Sequence, residues 1–327
     1  KFTKKGSGGD GSYAKEKFEA AEYQIDLYTL FLEQGIQLTR EKGFLGMIVP
    51  DPWLGNFRTP KIRELMLVRN QPLQLMQTPM SAFSGVGAEH LIALIENQDG
   101  CEASFRKGEI DEEGAVEDVE PFGCDLLRAE DEYVVYSSRE AARVIEQVER
   151  CSNQLGALYS TVRGVGPYHH SVQEEEVIEA RAYHADHKKD EAFVPELKGK
   201  HLSRYAYEWE GDTWIRYGEW LAEPREKRFF EGKRLLLREI LGQRFVACVL
   251  HEEFIVDRGI YIALQGDQEV DLYYVLALVE STLLVYWFRE KYSEKDELFP
   301  KLRVAHFNQL PIREIDFTTP EAEREQH

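Results

Sequence analysis

One stretch of the sequence alternates cations with aromatic side chains. It runs from Phe193 to Gly218, and its cations Lys198, Lys200, Arg204 and Arg216 alternate with the aromatics Tyr205, Tyr207, Trp209, Trp214 and Tyr217. A glycine within it permits a tight backbone turn. Cations contact phosphates and aromatic faces contact bases, so this composition suits a nucleic-acid surface. An ordinary strand-turn-strand with solvated charges has the same composition.

Further cations stand next to aromatics, glycines or turns outside this stretch. The fork of arginine matches guanine edges and phosphate oxygens, whereas lysine supplies a point charge. A surface ion pair explains any one of them taken alone. Together they predict a face that binds phosphates and bases, made of Arg163, Lys198, Lys200, Arg204, Lys233, Arg238 and Arg258.

Histidines offer a second kind of chemistry. The pairs His169-His170 and His184 with His187 supply imidazoles at short spacing, which suit zinc or iron. The sequence contains no HExxH motif, and the segment around His184 is strongly hydrophilic. A solvated helix face is the alternative interpretation, and the sequence favours it.

Hydrolytic chemistry has weaker support. Pro50-Asp51 and Glu196-Leu197-Lys198 supply the letters of a magnesium-dependent nuclease site, but they are expected to lie in different domains. No GxSxG motif is present to form a serine nucleophile, and nothing activates a cysteine. We therefore expect no hydrolytic site built from these residues.

The charge of the chain is strongly negative but uneven. The formal net charge is −19 at pH 7, which disfavours indiscriminate binding of polyanions. Residues 109–132 contain eleven acids against Arg128 alone, a net charge of −10. The acidic segment Cys101 to Glu132 is expected to form only short strands or loops, as an exposed elaboration. Residues 198–244 contain eleven Lys or Arg against eight acids, a net charge of +3. A local anion-binding face is therefore compatible with the acidic whole.

Length and composition predict a globular protein of about two domains. The chain has 327 residues, of which 43% are hydrophobic. Its four cysteines form no CxxC pair, so neither a zinc site nor a disulfide is expected, and a reducing cytoplasm fits best. No secretory leader is visible, and the most apolar run, 272–288, is too short to span a bilayer.

The first part of the chain alternates predicted helices and strands, which indicates an α/β domain. Residues 1–17 are expected to form a loop, and apolar spacing predicts a helix that ends at Gly43. Proline in the first turn predicts a second helix over Pro60 to Val68. Apolar runs predict strands over 44–50, 73–77 and 89–96.

The second part combines strands and helices. Apolar periodicity predicts a linker helix over Arg139 to Arg150, and residues 173–191 are expected to be helical. Enrichment in Val, Ile and Leu predicts strands over 158–162, 233–240, 245–250 and 254–264. A long buried helix is expected over Asp271 to Glu290.

These segments resemble a known family. The first 100 residues resemble the C-terminal half of the catalytic domain of gamma-class DNA adenine-N6 methyltransferases, the part after their Asn-Pro-Pro-Tyr motif. The remainder resembles the TaqI-like target-recognition domain of such enzymes and of type IIG restriction-modification proteins. The matching segments are DLY at Asp26 with Phe31, GFLGMIVPDPWL at Gly43, IREL at Ile62, AFSGVGAEHLIALIE at Ala82, VRGVG at Val162, PELKGKHLSRY at Pro195, KRLLLREI at Lys233, VDRGIYI at Val256, ALVESTLLVYWF at Ala277 and FPKL with QLPI at Phe299.

The resemblance implies a fold and a domain order. An α/β part corresponding to the C-terminal half of a Rossmann-like methyltransferase is expected over residues 1–134, followed by a linker helix over 135–154. A mixed α+β DNA target-recognition domain is expected over 155–317, with a tail over 318–327. By the same resemblance, Phe83 aligns with an aromatic that stacks on the flipped-out adenine. A core phenylalanine at a strand end is the alternative for this residue.

The cofactor-binding half and the Asn-Pro-Pro-Tyr motif of that family are missing from the sequence. The resemblance therefore implies that a longer parent enzyme binds S-adenosylmethionine, and that this chain alone does not methylate DNA. Magnesium would be needed only by a nuclease domain elsewhere. The expected partners are double-stranded DNA with a specific site and the missing N-terminal methyltransferase half, with no membrane.

Two other functions stay open at this point. A non-catalytic specificity subunit like those of type I restriction systems would also read DNA, although such subunits carry two recognition domains. A protein-interaction module that has lost DNA binding would explain the charge of −19. Salt dependence of DNA binding separates this last function from the others, because phosphate contacts weaken with salt.

Overall fold

The structure is a computed structural model that describes residues 10–22, 25–55, 59–83, 90–265, 270–292 and 302–314. It divides into two compact units. The first unit is Lys1–Glu146 with Arg289–Glu294, and the second is Gln147–Phe288 with Lys295–His327. The division falls within two helices, and the domain boundaries expected from the sequence stay predictions.

The first unit contains helices and one sheet. Pro60 occupies the first turn of its third helix, as predicted, and a π-helical turn continues that helix over Glu64–Val68. The helices are α1 (Asp10–Lys17), α2 (Leu27–Leu38), α3 (Pro60–Arg63) and most of α4 (Arg139–Arg150), and the strands are β1 (Phe44–Pro50), β2 (Gln71–Thr78), β3 (His90–Glu96), β4 (Ser104–Ile110) and β5 (Val116–Gly123).

The sheet of the first unit is mixed, with the order β1-β3-β2-β4-β5. Strand β3 is antiparallel to both β1 and β2, β2 is parallel to β4, and β4 is antiparallel to β5. Alternate residues of β3 are buried, as the two-residue period of a strand requires, and these are Leu91, Ala93 and Ile95. The strands predicted over 44–50, 73–77 and 89–96 are confirmed.

Three expectations for the first unit are wrong. Asp10–Lys17 forms α1, although no apolar period predicts a helix there. The acidic segment contributes two strands, β4 and β5, to the sheet. Cys101 and Cys124 form a disulfide with their Cα atoms 5.8 Å apart, because the start of β4 and the end of β5 are adjacent. Cysteine spacing in the sequence contains no sign of that adjacency.

The second unit is built from many short strands. Its helices are α5 (Leu155–Leu158), α6 (Glu175–Glu179), α7 (Leu272–Val279), α8 (Thr282–Tyr292) and α9 (Val304–Asn308); its strands are β6 (Asn153–Gln154), β7 (Tyr159–Arg163), β8 (His184–Ala185), β9 (Phe193–Leu197), β10 (Leu202–Ser203), β11 (Ala206–Tyr207), β12 (Trp214–Arg216), β13 (Arg234–Arg238), β14 (Ala247–Leu250), β15 (Ile255–Val256), β16 (Ile260–Gln265) and β17 (Pro311–Ile312).

Two four-stranded sheets of the second unit share a hydrophobic core. One sheet has the order β14-β13-β16-β7 and is antiparallel throughout, and the other has the order β15-β9-β12-β8. Side chains from both sheets bury their apolar surface together, among them Leu197, Ile215, Leu236, Val256 and Ile262. The two sheets therefore hold each other in place through this core.

Two helix predictions for the second unit need correction. Of residues 173–191 only Glu175–Glu179 is helical, because the segment has no apolar face to bury. The helix expected over 271–290 is two helices, α7 and α8, which break at Glu280 and Ser281. At this break the buried carboxylate of Glu280 accepts the backbone N–H of Ala247 at 2.6 Å.

The chain is thus a mixed α/β protein with several sheets. The more specific expectation, a Rossmann-like half followed by a recognition domain, stays a prediction. No single helix in the described ranges is long and apolar enough to cross a membrane; α7 and α8 pass that test only as a pair bent by 61°.

Candidate nucleic-acid interface

Loops gather at one edge of the β14-β13-β16-β7 sheet. Arg238 at the end of β13 pairs with Ile260 at the start of β16, and Tyr261 pairs with Arg163 at the end of β7. The segments that leave or enter these strands at this edge are residues 163–166, 239–246 and 257–259. We call these three segments, with the strand ends Arg163 and Arg238, the loop edge.

Arg163 is held tightly within the loop edge. Its Nε donates to the carbonyl oxygen of Arg258 at 2.6 Å. Its Nη2 lies 2.6 and 2.7 Å from the two carboxylate oxygens of Glu239. The side chain is 27% exposed. Arg163 therefore joins three loop-edge segments, and its charge is already compensated by Glu239.

Two segments of the loop edge touch at Gly164. A Cβ at this position would overlap the carbonyl oxygens of Val256 and Asp257. The turn at 257–259 is itself held by Asp257, whose Oδ1 accepts the N–H of Gly259 at 2.8 Å. Burial raises the pKa of Asp257 above its ordinary value. The glycine predicted next to Arg163 is thus required by the close approach of two backbones.

Gly164→Ala is expected to lower the free energy of unfolding of the second unit by about 1–3 kcal/mol, because the added methyl group forces two backbone segments apart. Urea unfolding of the chain measures this loss. Gly242→Ala is the matched control, since Gly242 lies in the 239–246 segment and a Cβ there meets nothing within 4 Å. Equal stabilities of the two variants would contradict the prediction.

Lys198 is anchored to a buried carboxylate. Its Nζ lies 3.1 Å from Oε2 of Glu196, a side chain with no exposed surface. Oε1 of Glu196 lies 3.2 Å from Nε2 of His184. The Oη of Tyr168 accepts the N–H of Tyr183 at 2.9 Å and lies 3.0 Å from Nδ1 of His184.

His184 belongs to the same group of contacts around Glu196. Both ring nitrogens make contacts within the protein, so His184 is a structural histidine rather than a metal ligand. No group of three or more His, Cys, Asp or Glu side chains in the described residues could hold a metal. The solvated helix face expected for these histidines is wrong at His184, which lies in β8 with its side chain only 10% exposed.

The nuclease constellation also finds no support in the geometry. The described residues include no carboxylate group suited to a metal ion. Glu196 and Lys198 pair with each other. Asp51, in the first unit, accepts from the side chain of Gln77 at 3.4 Å.

Lys200 and Arg204 each contact a carboxylate as well. Lys200 pairs with Asp212 and lowers the pKa of that carboxyl group. Arg204 is 43% exposed, and its Nε donates to Oε2 of Glu280 at 2.6 Å, which raises the pKa of Arg204. The turn that carries Arg204 reaches the start of β14, where the N–H of Tyr205 donates to Ala247 at 2.9 Å.

Lys233 lies at the opposite edge of the sheet. It precedes β13, whereas Arg238 ends it, and five residue steps of a strand measure about 16 Å. Its Nζ lies 3.1 Å from Asp271 and 4.4 Å from the ring centre of Tyr273. The ion pair lowers the pKa of Asp271. Lys233 is therefore not part of the face that the other cations share.

Arg238 and Arg258 remain as the available cations of the loop edge. Arg238 donates from Nε to the carbonyl oxygen of Ile240 at 3.0 Å. A Cβ at Gly199 would lie 3.4 Å from Arg238 Cγ, which places the Lys198 segment beside it. Arg258 is exposed, and its guanidinium has no ion pair among the residues that the structure describes. Arg258 can therefore reach a phosphate without losing an ion pair, and Arg238 would give up only its hydrogen bond to Ile240.

Two further arginines at or next to the loop edge were not predicted from the sequence. Arg244 is exposed in the 239–246 segment, between two predicted strands and close to a glycine. Arg225 donates from Nε to the carbonyl oxygen of Arg163 at 2.7 Å and pairs with Glu223 at 2.9 Å. The position of Arg244 in a strand-to-strand loop was a usable signal, whereas the long-range contact of Arg225 was not.

Phe83 belongs to the first unit and follows β2. Its side chain is 39% exposed, and its ring centre lies 4.7 Å from that of His90. The alternative of a core phenylalanine is therefore wrong. Stacking on a base stays a prediction, because the segment that follows, 84–89, lies outside the described residues.

Comparisons with known proteins agree with these features. Residues 194–312 match the family described as the TaqI-like C-terminal specificity domain, and residues 2–83 match the Eco57I restriction-modification methylase family. The resemblance inferred from the sequence is confirmed. The specificity-domain match begins within β9 and ends with β17, so it includes Lys198, Arg204, Arg238 and Arg258 but not Arg163. Phe83 is the last residue of the methylase match.

One curated relative and two solved structures are similar to most of this chain, and the chain covers less than half of each of them. A putative type II restriction enzyme and methyltransferase, RM.MjaORFECS2P of Methanocaldococcus jannaschii, is 19% identical over 305 residues, which are 88% of this chain and 25% of the relative. The structure of the type IIL restriction-modification enzyme MmeI in complex with DNA shares its fold, with a TM-score of 0.52 at 10% identity, over 93% of this chain and 42% of MmeI. The type IIG restriction endonuclease BpuSI gives a TM-score of 0.38 at 13% identity over 93% and 44%. The chain thus spans a quarter of the curated relative's length.

Proposed function

We propose that this chain reads the DNA target and forms one wall of the adenine pocket of a site-specific DNA adenine-N6 methyltransferase. The parent is a bacterial restriction-modification enzyme of the type IIG kind, in which a Rossmann-like catalytic half precedes the target-recognition domain. The missing N-terminal half is the partner that completes the pocket. Double-stranded DNA with a specific site is the substrate.

The observation that carries the proposal is the grouping of the predicted cations. Five of the seven, Arg163, Lys198, Arg204, Arg238 and Arg258, lie at or beside the loop edge. Ion pairs with Glu239, Glu196 and Glu280 hold three of them in fixed positions. Fixed cations next to exposed ones suit a surface that docks a phosphate backbone in one register. The net charge is −10 over residues 109–132 but +3 over residues 198–244, which contain three of these five cations.

The catalytic part of the proposal concerns Phe83. Its ring, exposed at the end of the methylase match, is available to stack on an adenine that has left the duplex. S-adenosylmethionine bound by the parent supplies the methyl group, and we assign no cofactor-binding residue to this chain. Magnesium enters only with a nuclease domain elsewhere in the parent.

Methylation of plasmid DNA by the full-length protein tests the catalytic part of the proposal. The full-length protein, supplied with S-adenosylmethionine and plasmid DNA, is expected to leave N6-methyladenine in one sequence context, detected by methylome sequencing. A catalytically silent protein with every adenine unmodified would contradict it. A cytoplasmic location belongs to the proposal only because DNA is the substrate; the disulfide of Cys101 with Cys124 does not support it.

Arg258→Ala is expected to weaken DNA binding of the full-length protein by about 1–3 kcal/mol if it contacts a base. If Arg258 contacts a phosphate, the slope of log affinity against log salt falls by about 0.9. Lys233→Ala, at the opposite edge of the sheet, is the matched control and leaves both quantities unchanged. Electrophoretic mobility shifts at several salt concentrations measure them.

The same measurement separates the competing functions. A protein-interaction module would show no salt-dependent binding to duplex DNA, and the proposal would then fail. A non-catalytic specificity subunit would bind DNA in the same way but leave the plasmid unmethylated. Equal loss of affinity in Arg258→Ala and Lys233→Ala would show that the loop edge is not the binding face.

A further inference from the structure

Arg204 and Tyr205 form the two-residue turn between β10 and β11. Tyr205 has φ of 64°, in the left-handed region that favours glycine. Turns of this length usually place Gly, Asn or Asp at such positions. A bulky aromatic residue is strained there, and strain of this kind points to a functional requirement when the fold does not need the side chain.

The fold gains little from the ring of Tyr205. The residue is 52% exposed. The guanidinium carbon of Arg204 lies 5.1 Å from the ring centre, and Nη2 of Arg204 lies 3.3 Å from the Tyr205 hydroxyl oxygen. An exposed ring with one cation above it buries less apolar surface than a core aromatic does. The strain of the turn is therefore not explained by packing.

The ring is nevertheless fixed in place. The N–H of Tyr205 donates to the carbonyl oxygen of Ala247 at 2.9 Å. Arg204 donates from Nε to Oε2 of Glu280 at 2.6 Å and from Nη2 to the Glu280 carbonyl oxygen at 3.2 Å. Glu280 is only 1% exposed. A fixed aromatic side chain loses little conformational entropy when it binds a partner.

The position of the ring indicates what that partner is. Ala247 begins β14 directly after the 239–246 segment of the loop edge, and the N–H of Arg238 donates to Val246 at 2.9 Å. The exposed cations Arg244 and Arg258 and the half-buried Arg238 belong to the same edge. Aromatic faces next to cations that reach phosphates are the combination that binds bases.

We propose that Tyr205 packs its ring against a base of the DNA target, and that Arg204 is a positioning residue for this ring. The inference rests on the proposed function, because it needs DNA at the loop edge. It also changes the role of Arg204, which the sequence analysis assigned to direct DNA contact. Its guanidinium is already committed to Glu280 and to Tyr205, so it holds the ring instead of a phosphate.

Substitutions of Tyr205 in the full-length protein test this. The probe is a duplex that the wild-type protein selects from a random-sequence pool. Tyr205→Gly is expected to lower affinity about 5- to 150-fold, the range for losing recognition of one base pair. The salt slope stays unchanged because no cation is removed. Thermal unfolding is expected at the same or a higher temperature, since glycine relieves the strained φ.

Tyr205→Phe keeps the ring and is expected to bind like the wild type. Tyr205→Asn also tolerates the left-handed region and provides a second ring-deletion variant if the glycine variant is destabilised. Unchanged affinity in whichever ring-deletion variant remains folded would overturn the proposal. An equal loss in Tyr205→Phe would also overturn it, because the hydroxyl group rather than the ring would then matter.

Arg204→Gln tests the positioning role. It is expected to lower affinity without changing the salt slope, and to add no further loss when combined with Tyr205→Gly. A fall in the salt slope of about 0.9 would mean that Arg204 contacts a phosphate, which would overturn its positioning role. If the wild-type protein selects no DNA, the proposed function itself has failed; if it selects DNA and Tyr205 has no effect, only the present inference has.

Discussion

Glu280→Ala is expected to lower the free energy of unfolding of the second unit by about 1–3 kcal/mol, because the buried N–H of Ala247 loses its acceptor. Glu280 is 1% exposed and makes two short contacts. Oε1 accepts the N–H of Ala247 at 2.6 Å, and Oε2 accepts from Nε of Arg204 at 2.6 Å. Alanine leaves a buried N–H without its partner and removes the anchor of Arg204.

Urea unfolding, fitted with one transition for each unit, measures the loss. Glu219→Ala is the matched control, because Glu219 is an exposed glutamate of the same unit. Glu280→Gln is expected to lie between the two, since its carbonyl oxygen still accepts from Ala247 while the charge is gone. A loss within about 0.5 kcal/mol of the control would show that the carboxylate does not hold this region together.

The position of Glu280 explains why sequence periodicity predicts one helix where there are two. Leu272–Val279 and Thr282–Tyr292 are both helical and mostly apolar, so the pattern runs through the break. At the break, the Ser281 hydroxyl oxygen accepts the N–H of Leu284 and so caps α8, and the Glu280 carboxylate accepts the N–H of Ala247, 33 positions away in the sequence. Contacts of this separation leave no trace in a periodicity of three or four residues.

Strands were predicted better than the face they build. The strands that carry Arg163 and Arg238 lie within two residues of the expected positions, because Val, Ile and Leu runs mark buried strands. The single strand expected over 254–264 is wrong, since the 257–259 turn separates β15 from β16. Pairing across the sheet decides which strand ends lie next to one another. Lys233 and Arg238 belong to one predicted strand but lie at its opposite ends, so only Arg238 reaches the loop edge.

The chemistry of the individual cations was the least predictable part. Lys200, Arg204 and Arg163 each contact a carboxylate that lies 12, 76 and 76 positions away in the sequence. Composition reveals a local excess of cations but not which of them already have partners. The structure consequently changes the ranking of the predicted site: Arg258 and Arg238 are the available cations, while the ion-paired residues shape the surface around them.

Buried charge also supports the first unit, at Arg63. The side chain has no exposed surface, and it donates to the carbonyl oxygens of Glu132 and Trp53, each at 2.7 Å. Burial lowers the pKa of Arg63 to about 10, so the guanidinium is still charged at neutral pH. These contacts connect α3 with the preceding turn at Trp53 and with Glu132, which is 69 positions away in the sequence.

Arg63→Ala is therefore expected to lower the free energy of unfolding of the first unit by about 3–5 kcal/mol, since two buried carbonyl groups lose charge-assisted donors and a cavity forms. Arg63→Met fills most of the space and is expected to recover part of the loss, which separates packing from hydrogen bonding. Lys61→Ala, an exposed position on α3, is the control. The first-unit transition in urea measures all three variants. If Arg63→Met were as stable as the wild type, the hydrogen bonds of the guanidinium would not stabilise the unit, and its role would be reduced to filling space.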